Sequence, residues 1–102
     1  MGIFHIVNKS PFTHGAFKSC LSVCSPHDAI LLYEDGVLGA IEHAPSTENL
    51  QKQMKSGLKV YALINDVKAR GLQEKLLPGI VCTDYVGFVQ LSTDHPCVQS
   101  WY

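Results

Sequence analysis

Charge is the scarcest property of this chain. Asp, Glu, Lys and Arg make up 17% of its 102 residues, against about 25% in ordinary soluble domains. The eight Lys and Arg stand singly, without a basic stripe or interleaved aromatics, and the formal net charge is -1. A phosphate backbone finds no electrostatic footprint here, so direct nucleic-acid binding is not expected. No apolar run approaches the length of a membrane span, and the N-terminus lacks the basic n-region and small-residue cleavage site of a secretory leader. The expectation is a cytoplasmic protein with no membrane contact. G-x-G-x-x-G, the phosphate-binding P-loop and the G-x-S-x-G elbow are also missing. Dinucleotide binding, phosphoryl transfer and hydrolysis thereby lose their usual sequence support.

Apolar residues, by contrast, reach 46%. One domain spanning residues 1–102 is expected, large enough for a modest core without disulfides or metals. A domain this small has too much surface for its volume to hide all of that apolar content. Some of it should lie on a surface covered by another chain, in a homo-oligomer or a hetero-complex.

The organising stretch is Ile3-Phe4-His5-Ile6-Val7, a β-branched apolar run that reads as a strand buried on both faces. Polar Asn8 to Ser10 and Pro11 follow, and from Thr13 or His14 a helix carries Phe17, Cys20, Leu21 and Cys24 at i, i+3, i+4, i+7. Ser25-Pro26-His27-Asp28 breaks it. Ala29 to Tyr33 reads as a second buried strand, Glu34-Asp35-Gly36 as a turn, and Val37 to Ile41 as the start of a helix. A short exposed helix is expected over Ser46 to Lys55, capped by Ser46 or Thr47. Leu58 to Ile64 is a third strand, and Asn65 or Asp66 caps a brief helix ending at Gly71. Ile80 to Cys82 is a fourth strand, Asp84 caps a helix over Tyr85 to Leu91, and Val98 to Tyr102 adds an edge strand. Alternating strands and helices without hairpins predict an α/β fold: a mostly parallel four- to five-stranded sheet flanked by helices, with flavodoxin-like layering.

In such sheets a ligand crevice lies beyond the carboxyl ends of the strands. Asn8, Lys9 and Ser10, Glu34 to Gly36, Asn65 and Asp66, and Thr83 and Asp84 are placed there, each with an equally simple turn or cap reading. His5 reads as a hydrogen-bonded core histidine. The four cysteines, Cys20, Cys24, Cys82 and Cys97, form no Cys-x-x-Cys pair. Zinc would need Cys20 and Cys24 plus two ligands from afar, such as Cys82, Cys97 or a histidine, and nothing else supports it. Cys82 is expected in the core and Cys97 at the surface. Cys20 stands between two readings. Its place on the apolar stripe favours a structural thiol, whereas Lys9, His14 and Lys18 would favour a reactive thiolate if the helix edge faced a crevice.

The runs His5-Ile6-Val7-Asn8-Lys9-Ser10-Pro11-Phe12, Glu34-Asp35-Gly36-Val37 and Lys59-Val60-Tyr61-Ala62-Leu63 resemble the DsrH/TusB family. So do Asp66-Val67-Lys68-Ala69-Arg70-Gly71, Asp84-Tyr85-Val86-Gly87-Phe88-Val89 and Gln99-Ser100-Trp101. The likeness keeps order and spacing from end to end except over Glu42 to Ser56. It implies a DsrE/DsrF-like fold and a place in a heterohexamer of three homologous small subunits, with DsrE/TusD-like and DsrF/TusC-like partners. It further implies a DsrC/TusE-like sulfur carrier downstream, and persulfide transfer for tRNA wobble-uridine 2-thiolation or oxidative sulfur metabolism. No metal or organic cofactor is implied. Cys20 matches a cysteine of the DsrH-type members, which makes it a candidate persulfide carrier. The competing reading is a non-catalytic scaffold that assembles the partner bearing the active cysteine.

Overall fold

The computed structural model describes residues 2–102. Its elements run β1 (Phe4–Val7), α1 (Ala16–Val23), β2 (Ala29–Leu32), a 3-10 segment (Glu34–Ala40), α2 (Thr47–Lys55), β3 (Lys59–Leu63), α3 (Ile64–Ala69), β4 (Val81–Thr83), α4 (Tyr85–Asp94) and β5 (Val98–Trp101). The five strands form one wholly parallel sheet in the order β4-β3-β2-β1-β5. The expected α/β architecture is therefore present, with β5 as the second edge beside β1.

Both faces of the centre are covered, which explains why β2 is a continuous apolar run rather than an alternating one. Ile30 and Leu32 face a core built with Phe17, Leu21, Val37 and Leu50. Ala29 and Leu31 share the opposite side with Phe4, where Phe88 and Leu91 of α4 pack on them. The two sides are unequal. α1, α2, α3 and the 3-10 segment all contribute to the first core, whereas α4 alone supplies helix residues to the second and has no fully buried residue of its own.

Four local expectations change in the folded chain. Val37 to Ile41 does not start an α-helix after a turn; the chain winds as a 3-10 segment from Glu34 to Ala40. The segment lies close against the end of β1, where a Cβ on Gly36 would run into the Val7 carbonyl. α3 begins at Ile64 directly after β3, with Leu63 at its N-cap, so neither Asn65 nor Asp66 caps it. Ser46 occupies the N-cap of α2 without a side-chain bond. Thr47 instead ties the preceding loop, taking the Ala44 N–H at 2.9 Å and donating to the Ile41 carbonyl at 3.1 Å. Cys82 is exposed rather than core. It sits on a three-residue edge strand paired on one side only, where a strand has no second neighbour to cover it. Asp84 caps α4 as expected, its Oδ1 accepting the Gly87 N–H at 2.8 Å.

Candidate functional site

The break between α1 and β2 builds the most polar part of the interior. Asp28, only 5% exposed, folds the Ser25–Asp28 segment back on itself by accepting from the Ser25 N–H and Ser25 Oγ, both at 3.1 Å. It reaches the start of β1 as well, accepting the Ile3 N–H at 2.9 Å and pairing with Nε2 of His5 at 2.8 Å. Burial by itself would raise the Asp28 carboxyl, but these donors outweigh it and hold it at about 2.

His5 is 2% exposed. Its other nitrogen, Nδ1, lies 3.1 Å from Nε1 of Trp101 at the end of β5. An indole N–H only donates, so Nδ1 accepts and the imidazole proton sits on Nε2, facing Asp28. Burial opposes a second proton on this ring. The nearness of Cys24, the bond to Asp28 and the negative charge on both favour it, and the net direction is upward. The bond from Trp101 works the other way, since an imidazolium has no lone pair left to accept it.

Beside His5 stand two thiols of α1. Cys20 is fully buried, and Cys24, at the helix C-cap, is partly exposed. Their sulfurs are 3.8 Å apart. Hydrogen bonding to Cys24, burial and the nearby negative charge all push the Cys20 thiol up, so Cys20 keeps its proton and donates it. That donated bond, aided by His5 and opposed by burial and Asp28, brings Cys24 down to about 6. The pair thus divides its labour: a buried thiol donates to an accessible thiolate. The nitrogen and sulfur atoms of His5, Cys20 and Cys24 lie within 4.8 Å of one another, a donor set suited to a soft metal. Both His5 nitrogens are already engaged, however, and the distant candidates Cys82 and Cys97 are exposed elsewhere.

This cluster lies at the amino ends of β1 and β2, the opposite end of the sheet from the expected crevice. At the carboxyl ends Asn8, just past β1, keeps a buried Oδ1 with no hydrogen-bond partner among the described residues, while the acidic residues and Arg70 bind each other. Arg70 reaches Asp35 through Nη2 at 2.8 Å and lies 3.6 Å from Asp66, whose other oxygen accepts the Glu34 N–H at 2.7 Å. These contacts dock the 3-10 segment on α3. The cations considered as activators of Cys20 do not form its surroundings: His14 and Lys18 are exposed while Cys20 is buried. Sequence reasoning placed Cys20 on the apolar stripe and His5 in the core, and both are there. It gives no role to Asp28 or Trp101, and gives Cys24 only a place on the same stripe and in an unsupported zinc set. The Ser-x-x-Asp spacing at Ser25 and Asp28 was the available signal for Asp28; no local pattern announces a bond between positions 5 and 101.

With this geometry in place, comparison with known proteins is direct. The profile of the family described as DsrH like protein matches residues 9–98. Protein TusB of Escherichia coli K12 is 34% identical over 99 residues, covering 97% of this chain and all of the relative. Protein TusB of Shigella flexneri matches at the same identity and coverage. Among solved structures, the ychN protein of Escherichia coli superimposes with a TM-score of 0.89 over 98% of both chains at 14% identity. A protein of unknown function from Methanobacterium thermoautotrophicum gives 0.79 at 18% identity, covering 97% of this chain and 96% of its own. These two similarities concern the fold. The sequence matches establish kinship: this chain belongs to the DsrH/TusB family.

Proposed function

We propose that this chain is a subunit of a cytoplasmic sulfur-relay complex that passes persulfide sulfur between carrier proteins, for tRNA wobble-uridine thiolation or oxidative sulfur metabolism. Its part in that complex is assembly. Family membership supports the relay setting, and one structural observation supports the assembling role. α4 presents Tyr85, Val86 and Val89 to solvent at 68, 77 and 54% exposure, with Val81 of the edge strand at 53%. A ten-residue helix with no buried residue of its own, on the thinner side of the sheet, matches a surface made for another protein. Homologous DsrE/TusD-like and DsrF/TusC-like subunits are the partners this reading names, with a DsrC/TusE-like carrier downstream. Cys20 as the relay's persulfide carrier is the second reading, and its complete burial weighs against it.

Co-expression with the two homologous small chains tests the proposal. The expected result is one stable complex containing all three, weakened by Val86→Glu or Val89→Glu. A chain that stays apart from both partners under these conditions refutes it. Loss of wobble 2-thiouridine, or of sulfur oxidation, on deleting this chain then identifies the pathway served.

A further inference from the structure

The two thiols of α1 carry an inference independent of the relay assignment. We propose that Cys24 is an entry thiol for the electrophilic sulfur of an S–S bond and that Cys20 resolves it, so that the two form a dithiol–disulfide couple inside the chain. Three placements support this. Cys24 ends the helix at an extended C-cap and is partly exposed, whereas Cys20 lies one turn back and is sealed in the core. The sulfurs already stand at 3.8 Å, in contact across one turn at the end of the helix. His5, oriented by Asp28 and Trp101, stands beside both as the group that favours negative charge on the outer sulfur. Thiol–disulfide exchange starts from an accessible thiolate, and a second thiol in contact with it can attack the mixed disulfide.

The substrate class is a disulfide or a persulfide, which share the attacked bond. The Cys24 thiolate supplies the electron pair. Its sulfur bonds to one sulfur of the donor, the donor S–S bond breaks, and the donor leaves as a thiolate. Cys20 then attacks the Cys24 sulfur and gives up its proton to the group it expels. That group leaves as a thiol if the donor was a disulfide, or as hydrogen sulfide if the donor was a persulfide. Two electrons have passed from the cysteine pair to the donor bond.

The test uses the full chain with the exposed Cys82 and Cys97 replaced by serine. It is incubated in separate arms with glutathione disulfide and with glutathione persulfide, and peptides are mapped by mass spectrometry. A Cys20–Cys24 disulfide is expected, with Cys20→Ser arrested as a glutathionyl or persulfide adduct on Cys24 and Cys24→Ser unmodified at Cys20. Reaction in one arm alone identifies which donor is used. Because Cys20→Ser places a hydroxyl in the core, disulfide formation in the otherwise unaltered pair is an independent readout. If Cys24 stays unmodified in both arms, or if a metal bound by the reduced protein blocks both thiols, the couple is refuted.

Discussion

Trp101 donates its indole N–H to Nδ1 of His5 at 3.1 Å, joining the last strand to the first across 96 positions of sequence. The bond decides which nitrogen of His5 carries the proton: Nε2, the one that faces Asp28. It also gives a physical role to the tryptophan of the near-terminal Gln99-Ser100-Trp101.

Trp101→Phe removes a donor that opposes the imidazolium form. The His5 pKa should therefore rise further in the variant, read from the imidazole carbon-bound proton by NMR titration. A stability loss of about 1 kcal/mol should accompany it, the usual net worth of one such hydrogen bond. An unchanged His5 titration would show that the ring proton is set by Asp28 alone.

Asp28 makes stability depend on acid. Its carboxyl is depressed in the folded chain, from 3.8 to about 2, so the charged form is the one folding favours. The associated stability is complete above about pH 4 and is lost as pH falls toward 2. The drop is worth about 2 kcal/mol. His5 runs oppositely: its raised pKa contributes stability below 6.5 that disappears as pH climbs through the folded value. Urea midpoints measured across the acid range check the first effect. Asp28→Ala, which strands the Ile3 and Ser25 donors, should cost about 3 kcal/mol at neutral pH and abolish the acid dependence below pH 4.

Alkylation of Cys24 should show a rate profile with its midpoint at about 6. His5→Gln should move that midpoint up toward the ordinary 9.0, because the ring beside Cys24 adds to the effect of the Cys20 bond in lowering it. The measurement is iodoacetamide kinetics against pH, with Cys24 followed by peptide mapping. Asp28→Asn pulls in two directions, removing a negative neighbour and loosening His5, so His5→Gln is the cleaner variant.

Two family-like motifs should differ sharply in energetic weight. Gly36→Ala drives a methyl into the Val7 carbonyl, a backbone atom that cannot rotate away, and should cost about 1–3 kcal/mol in thermal or urea unfolding. Arg70→Ala breaks the ion pair with Asp35, but Asp35 is 65% exposed. That loss should be at most about 1 kcal/mol and should shrink with salt.

The sequence by itself determined the architecture. Apolar runs too continuous for a half-buried strand, separated by helical spacing, leave a covered parallel sheet as their natural solution. Observed strands fall within a residue of the expected ones because burial and β-branching act locally. The caps were less legible. Asp84 serves its own helix as expected, but Asp66 is drawn away by Glu34 and Arg70, partners that no local rule brings near. Only the tertiary structure decided where Cys82 lies, since exposure of a strand residue depends on whether the strand is an edge. It also decided the site. His5, Cys24, Asp28 and Trp101 come from β1, the end of α1, the loop before β2, and β5, and they meet because β1 lies between β2 and β5 in the sheet. Strand order is a property of the assembled sheet. The periodicity of any one strand holds no record of its neighbours.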